Sequence, residues 1–245
     1  MGARRAPLAL GALAAVCCLC GSASASAGAK SADCGVPGRS YAGVHDARVA
    51  RGIQTSIASL TSPVVLPGLV AAWVGVGGVG EGAVGTDAWI QVGLASSADG
   101  VTDLYYEVKR PHRGPLYTEI RSDVAENTDF RIALLQSPAH PGSWRVWADG
   151  APASPLVSLP GSARWSPTAT VEMWRDPAAP CYRFAFRFDQ IEIATSRGEW
   201  VPVALDEQMR DPGFRMRFAN PSSLVVSSLE KRRLPAENKG GVRGP

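Results

Sequence analysis

Apolar residues in this chain recur at every second position, in short runs closed by Gly, Pro, Asn or Asp, and that spacing predicts β-strands. Eleven runs carry it: 70–77, 87–94, 103–110, 115–121, 129–136, 143–148, 168–174, 181–195, 199–203, 213–219 and 222–228. A short helix is expected within the stretch from His45 to Ile57, and no other helical period is found. So many strands with hardly a helix imply an all-β fold, a two-sheet antiparallel sandwich or a barrel.

The alternation also sorts side chains by face, because neighbours along a strand point to opposite sides of a sheet. Ala72, Val74 and Val76 oppose Trp73, while Ile90, Val92 and Leu94 oppose Trp89, Gln91 and Gly93. Leu104, Tyr106 and Val108 oppose Tyr105, Glu107 and Lys109; Val171 and Met173 oppose Thr170, Glu172 and Trp174; and Phe184, Phe186 and Phe188 oppose Arg183, Arg187 and Asp189. Each run therefore has one face fit for a core. If the strands share a sheet, their second faces make a groove of rings, a carboxamide and carboxylates. Such a groove suits an extended polymer, polypeptide or polysaccharide, since rings supply apolar contact and polar groups fix orientation. An ordinary solvated face is the alternative.

Composition narrows the class without changing it. The 245 residues are 45% hydrophobic and 19% charged, with 26 Gly, 19 Pro and seven Trp, which suits strands joined by turns and excludes a collagen repeat. The net charge is +3; without Arg4 and Arg5 it is +1, of which the tail Glu230–Pro245 supplies +3, leaving −2 on the remainder. No basic patch argues for nucleic acid.

Arg4 and Arg5 precede the apolar stretch from Ala6 to Cys20 and the small residues that follow, so residues 1–27 read as a secretory signal peptide rather than a stable membrane span. Cys17, Cys18 and Cys20 leave with it. Cys34 and Cys181 remain, and in an oxidising compartment they are expected to pair. Closing that long loop restricts the unfolded chain by roughly 4 to 5 kcal/mol in the entropic model. The organisation expected is thus a leader (1–27), one β-sandwich domain (34–229) and a disordered basic tail (230–245), secreted and monomeric.

Several motifs carry no chemistry. Gly75-Val-Gly77-Gly78-Val-Gly80 has dinucleotide-site spacing, but another strand follows where a helix is needed, so it reads as a hairpin loop. His45, His112 and His140 lack ligand spacing, which leaves no metal site and assigns all three to loops or core filling. No Gly-x-Ser-x-Gly elbow is present. No cofactor is implied.

The order of four segments resembles the glutamic peptidase, or eqolisin, family and its bacterial relatives: Ala72-Trp-Val-Gly-Val-Gly-Gly78, Trp89-Ile-Gln-Val-Gly-Leu94, Leu104-Tyr-Tyr-Glu-Val-Lys-Arg-Pro111 and Ala169-Thr-Val-Glu-Met-Trp174. The resemblance spans roughly residues 70 to 195. It implies a concanavalin-A-like jelly-roll sandwich whose concave sheet carries a catalytic Gln and Glu. Gln91 matches the Gln, and Glu172 matches the Glu; a gapped alignment puts Thr170 there instead. Trp73 and Glu107 match cleft residues, and Trp89 and Tyr105 share their face.

The resemblance implies peptide-bond hydrolysis at acid pH. Ionised Glu172 takes a proton from the attacking water and returns it to the leaving amine, and the Gln91 amide stabilises the oxyanion. Three alternatives stand beside this reading. Glu172 pairs with Arg183 or Arg187 across a neighbouring strand. The groove binds a glycan or peptide without cleaving it. Glu107 and Glu172 form a glycosidase pair, which in a retaining enzyme stand about 5 to 5.5 Å apart.

Overall fold

The computed structural model describes residues 34–204 and 207–229. The leader and the tail lie outside the described residues. Among the described residues sixteen strands form two antiparallel sheets. The first has seven strands in the order β14 (Glu207–Arg210), β1 (Gly38–His45), β11 (Pro167–Arg175), β3 (Gly68–Gly78), β4 (Ala88–Ser97), β5 (Thr102–Lys109) and β6 (Leu116–Arg121). The second runs β10 (Val157–Ser158), β8 (Ser143–Ala148), β7 (Phe130–Gln136), β2 (Gly52–Ser59), β12 (Ala185–Ala194), β16 (Ser223–Ser228) and β15 (Phe214–Asn220). Two short strands complete it: β13 (Trp200–Pro202) on β12 and β9 (Ala151–Pro152) on β8. The fold is the expected two-sheet sandwich.

The period-2 pattern explains the layers. Val70, Ala72, Val74 and Val76 of β3, with Ile90, Val92 and Leu94 of β4, meet Ile53 and Ile57 of β2 and Ile132 and Leu134 of β7 in one continuous buried core. Phe186, Phe188, Trp144 and Phe130 fill its bulkiest positions. A side chain of this size adds roughly 1.5 to 3 kcal/mol when fully buried, so the inward face dictates the register. In β12 the inward residues change from even to odd numbers, from Phe186 and Phe188 to Ile191 and Ile193. The pairing with β2 slips between Asp189 and Glu192, and Gln190 has φ +55°. This β-bulge inserts one residue and returns the isoleucines to the core.

The segment from His45 to Ile57 holds no helix. Its residues close β1, turn, and open β2, in which Ile53, Thr55 and Ile57 are buried while Gln54 and Ser56 are half-buried. Those three residues have strand spacing, and β-branching favours the pleated surface. Of the Gly75–Gly80 segment, expected as a hairpin loop, residues 75–78 pair with β4 as the end of β3, and Val79 and Gly80 enter the connection. Cys34 and Cys181 are bonded, with Cα atoms 4.8 Å apart, tying the segment before β1 to the segment before β12.

Candidate functional site

The outward residues of the seven-stranded sheet stand in cross-strand rows. One row reads Tyr41, Glu172, Ala71, Ala95, Asp103 across β1, β11, β3, β4 and β5. The next reads Gly43, Thr170, Trp73, Gly93, Tyr105, Glu119, extending onto β6. A third reads Glu207, His45, Thr168, Gly75, Gln91, Glu107, Tyr117, and crosses all seven strands. Small residues sit between large ones in every row. A Cβ added to Gly93 would lie 1.9 Å from the Ala72 carbonyl oxygen, so only glycine allows the close approach of β4 to β3 beside the Trp73 indole.

These rows border a cleft of about 370 Å³, within the range of ligand sites. All six residues singled out in the sequence line it: Trp73, Trp89, Gln91, Tyr105, Glu107 and Glu172. So do Arg39, Tyr41, Tyr117, Thr168 and Thr170. Ala71, Ala95 and Tyr105 form an apolar patch against which Leu69 and Trp73 pack. The Tyr105 and Tyr117 rings stack, with centroids 4.8 Å apart.

The polar groups are partly tied to one another. Gln91 Nε2 donates to the Tyr105 hydroxyl at 2.9 Å, and Trp89 Nε1 donates to Glu107 Oε1 at 2.8 Å. Glu172 faces Arg39 Nε at 3.5 Å, and its side chain is only 12% exposed against 54% for Arg39. Burial pushes the Glu172 carboxyl above its ordinary range; Arg39 opposes that shift, the charge of Glu107 adds to it, and Trp73 and Tyr41 favour the anion. Trp73 Nε1 nevertheless has no partner in hydrogen-bond geometry, leaving a buried donor unsatisfied beside the carboxylate. Burial and the negative charge of Glu172 raise the Tyr105 phenol well above its usual value, so it stays protonated. The Tyr41 phenol is raised for the same two reasons.

Register fixes the relation between the two residues chosen for catalysis. Gln91 pairs through Gly75 with Thr168, so Glu172 lies four residues farther along β11, two strands and two rows from Gln91. Thr170 occupies the intervening row; it is fully buried and its hydroxyl donates to the Ala42 carbonyl at 3.0 Å. Glu107 is in register with Gln91, three strands and two rows from Glu172.

The cation expected opposite Glu172 is corrected. Ala185–Asp189 belongs to the other sheet, where Arg187 meets Asp129 and Asp189, and Arg183 precedes that strand in an isolated bridge with Val64. Arg39 on β1 supplies the charge instead. The alternation of Arg39, Tyr41 and Gly43 with Ser40, Ala42 and Val44 was the available signal, hidden because few apolar residues mark β1. His45 is likewise neither a loop residue nor core filling. It ends β1, where its Nδ1 is 3.0 Å from Thr168 Oγ1.

The fold is similar to that of scytalido-glutamic peptidase solved with a peptide-based transition-state analog: TM-score 0.55, 14% identity, 78% of this chain and 98% of that chain covered. A second similar structure is SCP-B of the eqolisin family with the tripeptide Ala-Ile-His, TM-score 0.51, 14% identity and the same coverage. At such identity the likeness shows the fold. No protein-family model and no curated protein matches the chain.

Proposed function

We propose that the outer cleft of the seven-stranded sheet receives an extended polypeptide and hydrolyses it under acid conditions, as a secreted glutamic-type endopeptidase. Rings on three strands, Trp73, Trp89 and Tyr105, offer apolar contact along a path crossing the strands. The similar folds bind a peptide-based analog and a tripeptide, which favours polypeptide over glycan as the occupant. The observation that carries the proposal is the meeting, in one cleft, of a buried carboxyl with a raised pKa and a carboxamide that spends one of its two N–H groups on Tyr105.

In this reading the ionised fraction of Glu172 removes a proton from water as the oxygen attacks the peptide carbonyl, then delivers that proton to the amine as the C–N bond breaks, so hydrolysis falls away at pH values below the raised Glu172 pKa. The second N–H of Gln91 meets the oxyanion. Trp73 Nε1, the other unsatisfied donor, holds a backbone carbonyl of the substrate. Secretion accords with the disulfide, and no helix among the described residues is long and apolar enough to cross a membrane.

A second reading has a specific observation in its favour. The two-row offset between Glu172 and Gln91, with Arg39 already facing Glu172, suits a cleft that binds a peptide through an anionic end and a ringed floor without cleaving it. Digestion of casein at acid pH separates the two. Hydrolysis lost in folded Glu172→Gln and Gln91→Ala proteins supports the peptidase. Intact casein with measurable peptide binding supports the binding module.

A further inference from the structure

The third row contains an arrangement that neither carboxylate chemistry nor simple binding uses. Glu207, His45 and Thr168 are consecutive partners on β14, β1 and β11. His45 Nδ1 lies 3.0 Å from Thr168 Oγ1, and its Nε2 lies 3.8 Å from Glu207 Oε2. Thr168 is half-buried and lines both the main cleft and an adjoining cavity of about 230 Å³ that His45 and Glu81 also line. Beyond Thr168 the row continues through Gly75 to Gln91. Thr168 and Gln91 both border the main cleft, two strand spacings or about 10 Å apart between their Cα atoms. Gly75 is required between them, because a Cβ would stand 2.9 Å from the Gln91 Cβ.

We infer that Thr168, His45 and Glu207 form a hydroxyl–imidazole–carboxylate relay, which makes Thr168 Oγ1 a nucleophile toward an acyl carbonyl held in the main cleft with its oxygen turned to Gln91. The carboxylate of Glu207 faces Nε2 and so favours the tautomer with its proton there, which leaves Nδ1 as the acceptor for the threonine proton. Attack forms the bond from Oγ1 to the carbonyl carbon as that proton moves to Nδ1, and the resulting imidazolium faces Glu207. The oxyanion receives the Gln91 N–H. Collapse breaks the bond to the leaving amine or alcohol, which takes the proton from Nδ1. Water, deprotonated by the same nitrogen, then releases the acid and restores Thr168. No other reactant is needed.

This relay shares Gln91 and the cleft with the peptidase reading but does not need Glu172, so the two fail separately. The test exposes the full chain at neutral pH to a fluorophosphonate, an electrophile selective for activated hydroxyls, and maps the adduct by tandem mass spectrometry. One adduct on Thr168 is expected, retained in Glu172→Gln and in Thr168→Ser, absent from Thr168→Val, and formed roughly 10²-fold more slowly in His45→Gln. Thr168→Ser keeps the hydroxyl, so labelling of that variant also reports an intact site. The inference is overturned if the folded wild-type protein carries no adduct on Thr168, or if His45→Gln is labelled at the wild-type rate. In those cases the His45–Thr168 hydrogen bond is a structural tie between strands.

Discussion

Arg39 Nε stands 3.5 Å from Glu172 Oε1, a mostly solvated cation holding a nearly buried acid on the neighbouring strand. Burial raises the Glu172 pKa, and Arg39 is the largest opposing influence. Removing the guanidinium while keeping a polar side chain, as in Arg39→Gln, is expected to raise that pKa further. A ¹³C NMR titration of the Glu172 carboxyl reads the midpoint directly. An unchanged or lowered midpoint contradicts the pairing. Because Arg39 is half-exposed, the pair itself adds about 1 kcal/mol or less to stability.

The raised pKa also fixes the sign of a stability effect. An acid that holds its proton more tightly when folded gives stability that is complete below the unfolded pKa and is lost as pH rises through the folded one. Between those values the folded protein must take up a proton that the unfolded chain has released, and above the folded value Glu172 bears a charge its surroundings penalise. Glu172→Gln is therefore expected to match or exceed the wild-type melting temperature at neutral pH, with the advantage shrinking as pH falls toward the ordinary carboxyl range near ~4.3. Paired thermal melts across that range check it, and a variant advantage that grows on acidification runs against it.

Trp73 offers a test of ligand contact that leaves the apolar floor in place. Trp73→Phe keeps a ring in the cleft and deletes the unsatisfied Nε1 donor. If that donor holds a substrate carbonyl, peptide affinity should drop by about five- to tenfold, the worth of one hydrogen bond of roughly 1 kcal/mol. Calorimetric titration with an uncleaved peptide analog measures it; unaltered affinity removes Trp73 from the binding surface. Tyr105→Phe should act differently, since it frees Gln91 of its 2.9 Å partner and disturbs the cleft from within.

The Cys34–Cys181 bridge spans 147 positions and ties the segment before β1 to the segment before β12. In the entropic model a closed loop of that size contributes about 5 kcal/mol. Replacing both cysteines with serine is expected to lower the urea midpoint strongly without altering the amplitude of the folded far-ultraviolet signal. A loss under 1 kcal/mol would sink the proposed role of the bridge as the main covalent staple.

Alternation made most of the sandwich legible before any coordinates. Wherever apolar residues marked every second position, as in Val70–Val76 or Ile90–Leu94, the strand and its inward face emerge as read. β1 and all of β2 escaped because Gly38, Ser40, Gly43 and Gly52 dilute the apolar signal, although Ala42, Val44, Ile53 and Ile57 reach the core. The face assignment likewise put Trp73, Gln91, Glu107 and Glu172 on the side away from the core, and all four border the cleft. Alternation says which way a side chain points but not which strand lies beside it. Pairing is a long-range choice made by the whole sheet. That is why Arg187 was expected near Glu172 and lies in the other layer, why Arg39 and His45 were missed, and why the two-row step from Gln91 to Glu172 was not visible. The Gln190 bulge changes the parity of β12 by the same kind of local event, an extra residue that a period-2 reading passes over.

The most direct measurement is the time course of casein digestion by the protein across acid pH, with new chain ends counted by mass spectrometry in wild type, Glu172→Gln and Gln91→Ala, each first shown to be folded. Steady appearance of internal cleavage products from the wild type, reduced at least 10²-fold in either variant, is the result expected if Glu172 and Gln91 hydrolyse a polypeptide held in the cleft. Cleavage that persists in both folded variants, or casein that stays whole at every pH, contradicts it.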